Sequence, residues 1–187
     1  MSPIETWVTA LFCRSSALVF GKRLLPLSLS HLLCLRALEC NPVYGDDEPH
    51  QMAIAVCICS RTYEQIRRDI FDLQKIAEKE LSKIGRNILR YDIEREKKKL
   101  IQYFENGGIC PDHWEPVGKK IESVRAPWEL HVVRVLCSVY GLSLSEAMNY
   151  PAAAGRSLYD VDAESRGADS LKTDEEYAAE CKAKELS

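Results

Sequence analysis

A chain of 187 residues can bury one hydrophobic core, and a composition 46% hydrophobic and 28% charged is ordinary for a globular protein. That balance excludes a wholly disordered chain. A formal net charge of −3 argues against a protein that coats nucleic acid by bulk charge alone, leaving room for a local basic face.

Nine glycines and eight prolines punctuate the sequence, and no run alternates apolar and polar residues over a strand's length with turn signals at both ends. The expected class is all-α: an irregular helical bundle with a charged helical arm. Residues 1–62 read as an N-terminal apolar helical core, 63–108 as the charged arm, 109–126 as a linker and 127–187 as a C-terminal helical region with an acidic tail.

In chain order, residues 4–20 read as a first helix that Gly21 ends, and Pro26 restarts the chain. Ser28 or Ser30 can cap a second helix running to about Cys40. Its apolar run, residues 24–38, follows Lys22 and Arg23 and imitates the basic and apolar parts of a signal peptide. His31 and Arg36 interrupt it, and it falls short of the roughly 20 apolar residues of a membrane span, so it reads as a core helix. After a loop of turn residues at 41–49, a third helix over 48–61 carries Met52-Ala53-Ile54-Ala55-Val56-Cys57-Ile58. It is apolar nearly all round, which places it centrally in the core.

Residues 63–104 change character. Ile66, Ile70, Leu73, Ile76, Leu81 and Ile84 keep a helical stripe, but residues 64–99 hold eleven basic and eight acidic side chains, a local net of +3. The pattern predicts an extended, charge-laced arm more exposed than the third helix, with a kink or break at Gly85 and an end at Asn106-Gly107-Gly108. Cys110, Pro111, His113, Trp114 and Pro116 mark the irregular linker.

Beyond it, Trp128, Val132, Val135, Leu136 and Val139 recur at helical spacing, with Glu129, Arg134 and Ser138 outside the stripe. Gly141 suits a left-handed C-terminal cap, and Ser143 with Glu146 forms a capping box for a short helix. Pro151 opens another helix to about Ser165, with Gly167 just past its end. Thr173 with Glu176 is a second capping box, opening a last helix toward Lys184. Residues 160–187 hold nine acidic and four basic side chains, a net of −5.

The eight cysteines, several inside apolar helical patterns, read as reduced, buried thiols of a cytosolic protein rather than a disulfide framework. A zinc site would draw on Cys57, Cys59, Cys110 and His113. Helical residues two apart point about 200° away from each other, however, so Cys57 and Cys59 are weak candidates for one ion, and no metal or other cofactor is expected. Among His31, His50, His113 and His131 none lies in a recognisable catalytic signature, and there is no Gly-rich phosphate loop or Gly-x-Ser-x-Gly elbow. No enzymatic activity is expected. A helix-turn-helix reading has the right shape, with Cys137 four residues before Gly141, but not the electrostatics: Glu146 lies in the second helix and the first basic residue after the corner is Arg156.

Residues 127–171, with Trp128, Gly141, Met148, Pro151, Ala154 and Tyr159 at matching positions, resemble the C-terminal region of small helical proteins of tailed-phage tail modules. Leu24-Leu25-Pro26-Leu27-Ser28-Leu29-Ser30-His31 and Ile58-Cys59-Ser60-Arg61 are similar to segments from the same kind of gene neighbourhood. The resemblance implies a tail assembly chaperone. Such a protein is a non-enzymatic helical binder of the host cytoplasm that coats the tape measure protein and recruits tail tube subunits, whether or not it stays in the finished virion. On that reading Trp128, Val132, Tyr150 and Tyr159 are the partner-binding candidates, and the opposite charges of arm and tail favour self-association. The alternative is a helix-turn-helix DNA-binding protein of a phage, acting in packaging or regulation.

Overall fold

The computed structural model describes residues 5, 9–11, 16–41, 48–69, 71–86, 91–108, 126–167 and 173–185. The architecture is all-α, as composition and periodicity predict. A small hairpin of β1 (Leu18–Val19) and β2 (Lys22–Arg23) precedes helices α1 (Leu29–Ala37), α2 (Glu48–Cys59), α3 (Tyr63–Asp69), α4 (Leu73–Arg86) and α5 (Ile93–Gly107). Then come α6 (Trp128–Ser138), α7 (Leu144–Asn149), α8 (Ala152–Ser165) and α9 (Asp174–Glu185).

Helix α2 is the centre of the core. Met52 through Cys59 are all buried, so no polar face is left to water, and α1 and α4 pack against it. Helix α1 is the hub of the other half, touching α2, α6, α7 and α8. Helices α6 and α8 pack closely because Gly155 leaves room for Val132: a Cβ at Gly155 would stand 3.1 Å from the Val132 Cγ1. Gly107 at the end of α5 is tighter still, its missing Cβ falling 2.6 Å from the Leu27 Cβ.

Three expectations change. Residues 18–23 are a hairpin rather than the end of a first helix, with Phe20 (φ 49°) and Gly21 (φ 71°) both left-handed at the turn. Two left-handed central residues make a turn whose twist suits a hairpin. Phe20 holds this unusual conformation because its N–H donates to the buried Glu96 carboxylate (2.6 Å), and its ring meets Tyr91 edge-on at 5.4 Å. Second, the charged segment does not extend as an arm. Its apolar stripe is used: Ile66, Leu73, Ala77, Leu100 and Tyr103 are buried, and α4 lies along α2. Helix α4 ends at Arg86, one residue past Gly85. Third, Glu129, although outside the apolar stripe, is buried, and the Arg36 guanidinium donates to its Oε1 at 2.8 Å. Its Oε2 has no hydrogen-bond partner.

Candidate binding groove

Three short helices, α1, α3 and α7, each open with a reciprocal capping box. Ser28 pairs with His31, Thr62 with Gln65, and Ser143 with Glu146. Helices of seven residues or so gain few internal hydrogen bonds, so satisfying the free N–H groups of the first turn counts for much of their stability.

Between these three helices lies an open groove of about 410 Å³. Ser30, Leu33, Cys34 and Ala37 of α1 form one wall, Tyr63, Ile66 and Arg67 of α3 the second, and Met148 of α7 the third. The lining is predominantly apolar. Arg67 is exposed and supplies a cation there.

Polar links at the helix ends fix the walls. The Tyr63 N–H donates to Asn149 Oδ1 (2.8 Å), while Asn149 Nδ2 donates to both oxygens of Glu64 (3.1 and 3.3 Å). The Ser145 hydroxyl donates to the same carboxylate. These donors, Ser145 foremost, hold the Glu64 carboxyl down to about 2. Helix α1 is joined to the far end of α7 by an antiparallel bridge between Ser28 and Pro151, with Ala152 N–H donating to the Leu27 carbonyl (2.8 Å) and Leu29 N–H to that of Tyr150 (3.3 Å).

His31 ties α1 to α3. The ring is 1% exposed. Its Nδ1 accepts from the Ser28 N–H at 3.1 Å, so Nε2 carries the proton and donates to the Arg61 carbonyl at 2.7 Å. Burial, against the weaker opposing pull of the Arg61 carbonyl, pushes the imidazole pKa below its ordinary value.

The partner-binding candidates read from sequence fall elsewhere. Val132 is a core residue, 1% exposed, and cannot present itself to a partner. Trp128 and Tyr159 are half-buried and come together around Arg156, whose guanidinium stands 5.5 Å from the Trp128 ring centroid and 5.8 Å from that of Tyr159. The buried Asp160 orients it, accepting from Arg156 Nε at 2.9 Å. This is a structural cation–π stack beside a hollow of about 100 Å³. Tyr150 is half-buried and packs on the core at the α7–α8 joint.

Cys57 and Cys59 are fully buried on α2, and the Arg61 guanidinium lies against the Cys57 thiol and its carbonyl. Among the described residues no three His, Cys, Asp or Glu side chains are placed to hold a metal ion; Cys110 and His113 lie outside them. Burial pushes the Cys34 thiol up to about 11 and that of Cys40 up to about 12. In the helix-turn-helix comparison α7 takes the recognition position, and its Ser145 and Asn149 are engaged by Glu64 of α3.

The sequence places Ile66 on an apolar stripe and Arg67 in the basic segment, but their meeting with Leu33 in one groove comes only from the tertiary fold. One signal was available for His31: it stands three residues after a helix-capping Ser, where Glu or Gln closes a capping box. Among the described residues no helix is long and apolar enough to cross a membrane. Comparison with protein-family models, curated proteins and solved structures gave no match to this chain.

Proposed function

We propose that the protein acts by binding, and that the groove between α1, α3 and α7 seats an apolar segment of a partner protein. The observation that carries this reading is the open, mainly apolar groove of about 410 Å³. A cleft of that size lined by aliphatic side chains with a Met and a Tyr suits the apolar face of a helix. The exposed Arg67 favours an acidic residue beside that face.

This fits a tail assembly chaperone, whose client is a long helical tape measure protein and whose further partner is the tail tube subunit. The host cytoplasm is the setting of that role, before the finished virion. Association between copies then adds the basic surface of residues 64–99 to the acidic one of 160–187, through contacts weakened by salt.

The test is capture from infected cells at low salt with wild-type protein and a Leu33→Asp variant. Leu33 is half-buried on the groove wall, so the change leaves the core intact while placing a charge in the groove. Wild-type protein retains a long helical tape-measure-like protein or a tail tube subunit, and the variant loses it at least tenfold. Recovery of DNA alone, or equal capture by both proteins, contradicts the proposal.

A further inference from the structure

We propose that His31 is a proton-controlled clasp of this groove: the neutral imidazole holds its three walls together, and protonation releases them. The inference rests on the groove being the binding site, and adds how its shape is regulated.

The ring's two nitrogens meet two backbone groups, the Ser28 N–H of its own helix cap and the Arg61 carbonyl thirty residues along the chain from the ring. Ser28 is the N-cap of α1 and the bridge partner of Pro151, just past α7. Arg61 ends the turn that delivers α3, which begins at Tyr63. One side chain therefore links the wall helix that bears it to the entry of the second wall, and steadies the N-cap whose neighbours Leu27 and Leu29 hydrogen-bond the exit of the third.

This pairing exists in one protonation state only. A proton on Nδ1 would set two N–H donors against each other across 3.1 Å, and would place a cation where 1% of the residue is exposed. The acidic groups on the elements around α1 are engaged elsewhere and do not compensate it, and Arg67 of α3 is itself a cation. Arg36 of α1 pairs with Glu129 of α6, and the Arg61 guanidinium turns to the Cys57 carbonyl and Asp69. Glu64 of α3 takes Ser145 and Asn149, Glu146 of α7 caps Ser143, and Asp160 of α8 takes Arg156. Cys57 and Cys59 of α2 are buried thiols with raised pKa values, hence neutral, and His50 lies at the opposite end of that helix.

The sign follows from linkage. The clasped ring titrates below its ordinary 6.5, whereas in the released state it is free to titrate near that value. The clasp is fully present above pH 6.5 and is lost as pH falls, because the released state then binds the extra proton. Between pH 7.5 and 5.0 the opening equilibrium should rise, with a ceiling of about 30-fold set by a released ring titrating near 6.5.

Amide hydrogen exchange on the full chain, corrected for intrinsic rates, reads this directly. At residues 28–32 and 61–66, Tyr150 and Ala152, wild-type protection falls severalfold, up to that ceiling, between the two pH values, while α2 stays protected. In His31→Gln the fall is absent. The same fall in both proteins, or none in the wild type, overturns the clasp. Should His31→Gln not fold, a variant carrying Gln at positions 50, 113 and 131 keeps His31 as the only imidazole for titration by NMR. A pKa well below 6.5 supports the clasp, and one at or above 6.5 overturns it. These readouts need no client, so the clasp fails on them alone, whereas the groove reading fails on capture by Leu33→Asp.

Discussion

Glu39 sits where helix α1 closes with a left-handed residue, at φ 51°. The Cys40 N–H reaches back to the Leu35 carbonyl and the Glu39 N–H to that of Arg36, the hydrogen-bond pattern of a helix stop usually built on glycine. A side chain there costs about 1–2 kcal/mol in the left-handed region, offset in part by the lower chain entropy of a non-glycine residue in the unfolded state. Glu39→Gly should therefore raise stability by about 0.5–1 kcal/mol, seen as a higher urea midpoint at unchanged slope. Gly107 shows the opposite case. A methyl group there would meet the Leu27 Cβ at 2.6 Å, an atom fixed to backbone, so α5 or the segment before α1 has to move. Gly107→Ala should lose about 1–3 kcal/mol in the same experiment.

At the scale of elements, local signals in the sequence carry far and tertiary ones do not. Ser143 with Glu146 and Thr173 with Glu176 announce their helices through side chains three residues apart, and both boxes form. Helix α2 is legible because every face of it is apolar. The hairpin is not, since two strands of two residues leave no periodicity, and its left-handed Phe20 is held by Glu96, which lies 76 residues away. Glu129 escapes for the same reason: its partner Arg36 is 93 residues upstream. The candidate site was hidden in the same way, because its lining comes from three separate helices. The cysteines follow their local pattern. Cys34, Cys40, Cys57 and Cys59 are buried between α1 and α2, and burial raises each thiol above its usual range. A thiolate-specific reagent at pH 8 should leave these four unmodified until the protein is denatured, while the half-buried Cys137 and Cys181 react in the native state. Native-state labelling of the four at the rate of free thiols would contradict that packing.

For the molecule as a whole, the charge-laced segment is part of the folded body and much of its charge is used locally. Lys83 pairs with Glu80, Lys99 with Glu96 and Lys75 with Asp72, while Lys22 of the hairpin reaches Glu80 from outside the segment. Exposed pairs such as Lys75–Asp72 contribute about 0–1 kcal/mol each, whereas Glu96 is buried; the fold depends on the α2-centred core, and the exposed charges remain available to partners. Helix α1 then serves two purposes: it closes the core against α2, and its other side forms a wall of the groove. The most direct measurement of the central claim is site-specific photo-crosslinking during infection, with a benzophenone amino acid at position 33 and, as control, at position 83 on the outer face of α4. The groove account predicts that position 33 joins the protein to one defined helical segment of a tape-measure-like partner, and that position 83 does not. Equal labelling from both positions, or no partner adduct at position 33, would contradict it.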